Sequence, residues 1–160
     1  MDIFKPKTAY FIVFILATSL ACCSIVAQLF FEEKPCQLCL ISRYMYLTVG
    51  VISVASIKFD VMRYMLLLTV FLELSFGLYH LGVENHWWIG PQSCVAELPT
   101  LESSMSSNVF ENTKTYCDRV NWTIFGISST LWNFLLSAFI FWLVSVSYIL
   151  DLYLRKIKNE

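Results

Sequence analysis

Four long apolar runs divide the chain, at about residues 10–30, 39–57, 61–81 and 131–150. The first, Tyr10 to Phe30, is apolar or small apart from Gln28. The second reaches full length only if it begins near Cys36 or Cys39, and the third carries one acid, Glu73, in its interior. The fourth has no charge before Asp151 and places Trp132 where an interface anchor belongs. A spanning helix needs about 20 mostly apolar residues, because the hydrocarbon layer is about 30 Å thick and each residue rises about 1.5 Å. These runs are too long for barrel strands and do not alternate, so helices are the fitting element. The pattern predicts an all-α membrane protein, a four-helix transmembrane bundle forming one membrane domain over residues 1–160.

Composition agrees. Hydrophobic residues make up 58% of the 160 positions and charged residues 14%, against about 25% charged in a typical soluble domain. That excludes a water-soluble globule and a disordered chain. The net charge is -1 with no basic cluster, so no nucleic-acid partner is expected.

The distribution of Lys and Arg sets a direction. One side holds Lys5, Lys7, Lys58, Arg63, Arg155, Lys156 and Lys158, and the other Lys34, Arg43, Lys114 and Arg119. The richer side is expected to be cytoplasmic, which puts both termini inside and exports two loops, about 31–38 and 82–129. Within the second loop, Leu101 to Lys114 is rich in Ser, Asn, Glu and Thr and is expected to be mobile. The first apolar run exceeds a signal-peptide core and is expected to stay as a span.

Under this topology Cys36, Cys39, Cys94 and Cys117 face the oxidising side, while Cys22 and Cys23 lie in the first span as small apolar residues. Four cysteines can pair in three ways. Cys36 and Cys39 are separated by two residues at a helix start, behind Pro35. That spacing lets the sulfurs bond and exposes one to the helix N-terminal dipole, which suits exchange. Arg43 follows Cys39 by four residues, on the same helix face and roughly 6 Å deeper. It is read as a cation that stabilises the Cys39 thiolate or binds a polar group of a membrane-dissolved ligand. A zinc site is disfavoured, because Cys94 and Cys117 do not form a second close pair, and no metal is expected. Taken alone, Cys94 and Cys117 would suit an ordinary loop disulfide. Glu73 is an intramembrane acid, read either as a neutral carboxyl bonded between helices or as a source of protons.

These residues resemble the bacterial disulfide bond formation protein B (DsbB) family. The likeness rests on Pro35-Cys36-Gln37-Leu38-Cys39 with Arg43, on Tyr79-His80 with Val83-Glu84 and Trp88-Ile89-Gly90-Pro91 before Cys94, and on Cys117-Asp118-Arg119 with Phe125-Gly126-Ile127-Ser128 and Trp132-Asn133. The resemblance implies a protein dithiol:quinone oxidoreductase of the bacterial inner membrane. Its partners would be a periplasmic DsbA-like thiol oxidase and a membrane quinone, ubiquinone or menaquinone. That setting is established for the bacterial periplasm rather than read from this chain. Residue by residue, Cys94 would take the attack of the soluble partner, and Cys117 would then attack Cys36 or the exchange would run through an equivalent rearrangement. Cys39 would face the quinone, with Arg43 and His80 beside it. The competing reading is a non-enzymatic four-helix membrane protein whose exported loops are braced by structural disulfides. The segment Val120 to Ser128 is expected either to lie flat on the membrane surface or to lead plainly into the fourth span.

Overall fold

The computed structural model describes residues 6–31, 35–91, 94, 116–120 and 123–159. Lys5, Lys34 and the whole of Leu101 to Lys114 lie outside them. Four helices, α1 (Pro6–Phe31), α2 (Gln37–Ser56), α3 (Asp60–Glu84) and α4 (Ser129–Asn159), make up almost all of this structure. All four are long and apolar enough to cross a membrane. Each packs on its neighbours in sequence, and α4 closes the ring on α1. The protein is an all-α, multi-pass membrane protein.

The bundle is largely apolar inside and out, with a few buried polar side chains. Tyr10, Val13, Ala17 and Ala21 recur at helical spacing on α1 and meet Val49, Leu66, Val70 and Val144 in the core. Phe11, Leu29, Val51, Phe71 and Trp142 point outward, as lipid-facing positions require. With lipid tails as apolar as leucine, close packing holds such helices together more than the hydrophobic effect does. Small buried residues allow that packing. Ser53, Ser137 and Ser147 are each buried, and their hydroxyls donate to the carbonyl four residues back, so they bring no unsatisfied polar group into the bundle.

At the end that joins α2 to α3, charge does the locking. Arg63 is buried and donates from Nη1 to Asp151 at 2.6 Å and from Nε to the Ser56 carbonyl at 3.0 Å. Arg155 bridges Asp60 and Asp151. Arg63, counted by sequence as a side-marking charge, is thus also a buried clamp between α3 and α4.

At the opposite end lie the cysteines. Between residues 123 and 128 the chain forms a two-stranded hairpin, β1 (Thr123–Ile124) and β2 (Ile127–Ser128), rather than a plain exit into α4. Its two turn residues, Phe125 and Gly126, have φ of 53° and 77°, the left-handed pair that a tight two-residue hairpin turn requires. Helical periodicity gives no sign of this turn.

Candidate active site

Cys36 caps α2. Its extended backbone, φ -66° and ψ 163°, ends the preceding loop, and its sulfur accepts from the Cys39 amide at 3.2 Å. Cys36 and Cys39 are joined as a disulfide, one turn apart at the mouth of the helix.

The loop cysteines arrive from the end of the neighbouring α3 by a chain of local devices. Helix α3 ends in a Schellman turn: the Trp87 amide donates to the Gly82 carbonyl at 2.8 Å, and His86 takes a left-handed φ of 58°. The turn folds Trp88 back onto the helix. There its ring stacks on Tyr79, and its indole N–H donates to the Tyr79 carbonyl at 2.8 Å. The Trp88 ring lies so close over Gly82 that no β-carbon fits there. Beyond this fold the Cys94 amide donates to the Pro91 carbonyl at 2.8 Å, and the Cys117 amide to the Cys94 carbonyl at 2.7 Å. Cys36, Cys94 and Cys117 thereby share one buried cluster with Leu38 and Val83, and Cys39 packs against it.

The Cys117 sulfur sits at the N-terminus of α2, where the backbone of Leu38 and Gln37 hydrogen-bonds to it and favours the thiolate. Burial overrides them. Together with the hydrogen bond and the charge of Cys94, it pushes the Cys117 thiol from 9.0 up to about 12. At pH 8 its thiolate fraction should therefore be about a thousandfold below that of a thiol at 9.0. Alkylation of Cys117, followed by mass spectrometry of its peptide, should be slow by that factor and rise about tenfold for each pH step up to 11. A rate like that of an exposed cysteine would contradict the closed arrangement. The folded chain also holds this proton more tightly than the unfolded one. The contribution of this thiol to stability is complete below about pH 9 and is lost as pH rises toward 12.

His80 meets the disulfide from α3. It is buried, with Nε2 3.5 Å from Cys36 Sγ and 4.0 Å from Cys39 Sγ. These three residues bring their ligand atoms within 4.8 Å of one another. Coordination by cysteine needs thiolates, and the disulfide engages both sulfurs. Arg43 does not turn toward the sulfurs. Its guanidinium reaches α1 instead, donating to Gln28 Oε1 at 3.0 Å and to the Ser24 carbonyl at 3.2 Å. Of the two groups that the sequence places near the thiolate, His80 is the one at the sulfurs, and Arg43 stands on the wall beside them.

That wall belongs to a cleft of about 800 Å³ between α1, α2, α4 and the hairpin. Cys36, Cys39, Arg43, His80 and the hairpin tip Phe125 all line it. Most of the lining is apolar, and the volume falls within the range of about 300–1,000 Å³ usual for small-molecule sites. Arg43 Nε is buried and has no hydrogen-bond partner among the described residues, an orphan donor that a ligand oxygen would satisfy. An apolar wall, a spare cationic donor and an open face of a disulfide together fit a flat, lipid-soluble molecule carrying carbonyl oxygens. Cys23, expected as a plain apolar position, lines this cleft, and Cys22 is exposed on the same helix.

Sequence reading named Trp88 and Asn133 only as matching positions, without a role, and did not single out Ser42. Asn133 carried a signal, as an amide at the head of an otherwise apolar helix. Ser42 carried none.

A family model described as disulfide bond formation protein DsbB matches residues 6–147 of the chain. No curated protein and no solved structure matches it.

Proposed function

The chain belongs to the DsbB family of disulfide bond formation proteins, whose work is to form disulfides at a membrane, and within that activity we propose a definite electron path. Cys94 and Cys117 accept two electrons from a soluble thioredoxin-like dithiol protein on the exported side. Cys36 and Cys39 pass them to a quinone in the membrane. The observation that carries this reading is the gathering of Cys36, Cys94 and Cys117 in one buried cluster with Cys39 packed against it, and the Cys36–Cys39 disulfide open to an apolar cleft.

The chemistry follows from the surroundings of Cys117. With the loop pair oxidised, a partner thiolate attacks Cys94; the Cys94–Cys117 bond breaks, a Cys94–partner bond forms, and Cys117 leaves with the electron pair. Bonded to the partner, Cys94 no longer raises the Cys117 thiol by its own hydrogen bond and charge; burial, the largest influence, still favours the thiol, but Cys117 departs as the thiolate and the Gln37 and Leu38 amides stabilise it there. Cys117 is then a nucleophile beside Cys36. Its attack there opens the Cys36–Cys39 disulfide and releases Cys39 as a thiolate. The second partner thiol frees the oxidised partner from Cys94. Cys94 then displaces Cys36 from Cys117, which restores the loop disulfide and leaves the pair at the cleft reduced. Bound in the cleft, a quinone would supply an acceptor for two electrons and two protons, held by Arg43 and His80. Arg43 orients through its free Nε, while its bonds to Gln28 and Ser24 keep the guanidinium on the wall. The inner membrane of a bacterium, with both termini cytoplasmic, is the setting in which this path runs.

Full-length chain in vesicles, supplied with reduced thioredoxin-like protein and short-chain ubiquinone or menaquinone, should consume quinone and dithiol one for one, read by quinone absorbance. Arg43→Ala should slow this about tenfold to a hundredfold, the worth of one or two hydrogen bonds to a charged group. Dithiol oxidation that proceeds equally without quinone would refute the path.

A further inference from the structure

Glu73 is the buried titratable group that thiol exchange leaves without a task. It lies at the middle of α3 and is 2% exposed, where an unpaired ionised carboxylate is expensive. The ion pairs among the described residues do not include it. Ser42 Oγ donates to its Oε1 at 2.6 Å, and its Oε2 is buried with no hydrogen-bond partner among the described residues. Asn133 donates from Nδ2 to the same Ser42 Oγ at 3.2 Å. Ser42 and Asn133 line the cleft, and Glu73 stands directly behind them.

The placement relative to the sulfurs is ordered. Ser42 follows Cys39 by three residues on α2, so it lies one turn deeper on the same side. Glu73 precedes His80 by seven residues on α3, two turns deeper on the same face, roughly 10 Å along the axis. Gly77 lies between them, where a β-carbon would come 3.6 Å from the Phe134 backbone and 3.8 Å from Asn133 Nδ2. That close approach of α4 is what brings Asn133 to Ser42.

Resting on the electron path above, we propose that Glu73 and Ser42 form a proton-donating site for the acceptor in the cleft, with Asn133 holding Ser42 in line. With Ser42 donating to Oε1, Glu73 holds its proton at Oε2; a turn of the carboxyl brings that proton to Ser42 Oγ as the Ser42 hydroxyl proton moves to an acceptor oxygen. The count closes. The Cys36 and Cys39 thiols returning to a disulfide release two electrons and two protons. The reduced acceptor takes both electrons and two protons, one of them from Glu73, and the carboxylate left behind recovers its proton from those the thiols release. The unpartnered Oε2 is the position at which that return can occur without breaking the bond to Ser42.

The test uses full-length chain in vesicles, reduced at its cysteines and mixed with short-chain ubiquinone in a single turnover. Glu73→Gln keeps the volume and a hydrogen bond to Ser42 but has no acidic proton; it should slow quinone reduction about a hundredfold. It should leave exchange between Cys94 and the soluble dithiol at the wild-type rate. Glu73→Asp should recover much of the loss, and Ser42→Ala should reproduce it. Infrared difference spectra of wild type, oxidised against reduced, should contain a carboxylic acid C=O band that shifts in D2O. The band should disappear in Glu73→Gln and persist in Ser42→Ala. Wild-type quinone reduction in Glu73→Gln, or no such band in wild type, overturns the assignment and leaves the electron path standing. Failure of wild type itself to reduce quinone overturns both.

Discussion

Replacing Cys117 with Ser should turn a fleeting adduct at Cys94 into a lasting one. The experiment presents the chain, reduced at Cys94 and Cys117, with a thioredoxin-like protein whose single cysteine is activated as an aryl mixed disulfide. Cys94 displaces the aryl thiol and becomes bonded to the protein. In wild type, Cys117 lies beside Cys94, tied to it by a 2.7 Å backbone hydrogen bond. It attacks the Cys94 sulfur, the partner thiol departs, and the loop disulfide forms. Serine offers almost no alkoxide at neutral pH, so the adduct should live at least roughly a thousandfold longer, in line with the cost of removing a nucleophile. It should run as one band on a non-reducing gel and vanish on reduction. Cys94→Ser, which removes the attacked sulfur, should give no such band at that position. An adduct that decays at the wild-type rate in Cys117→Ser would mean that the two loop cysteines do not act as a pair.

Cys39→Ser should separate the two halves of the path in a single trace. The variant has no Cys36–Cys39 disulfide to receive electrons, yet its loop pair is intact. Chain prepared with Cys94 and Cys117 oxidised should therefore oxidise about one equivalent of soluble dithiol and then stop. Wild type should continue until quinone is exhausted. The steady-state rate should fall by a factor of about a thousand or more, the loss expected when an essential covalent step is removed. Continued turnover at the wild-type rate would show that electrons bypass the pair at the mouth of α2.

Much of this was readable without coordinates, because it rests on local rules. Apolar runs of spanning length become helices wherever water is absent, since only internal hydrogen bonding satisfies the backbone there. The fold class follows, and the family match over residues 6–147 accords with it. The close spacing of Cys36 and Cys39 behind Pro35 likewise contains its own geometry, a disulfide across one helical turn. Other features escaped for physical reasons. The Phe125-Gly126 turn has no apolar period, and a phenylalanine at positive φ is not a turn residue that sequence statistics favour. Arg43 sits at the right spacing to reach Cys39, but its guanidinium donates to Gln28 and the Ser24 carbonyl on another helix.

Spans, residue types and the close cysteine spacing at the start of α2 were thus determined by the chain alone, since each depends on neighbours within about one or two helical turns. Only the tertiary structure decided which surfaces those helices present to one another. It set His80 against a sulfur 44 residues away, Asn133 against a serine 91 residues away, and Cys117 against the first amides of α2. Such meetings depend on the rotation and depth at which helices pack, and in an apolar bundle those are set by close approaches at small residues, as where Gly77 faces the backbone of α4. No local window of sequence contains that fit, so the cleft, its orphan donor on Arg43 and the carboxyl behind it emerge only when the bundle closes.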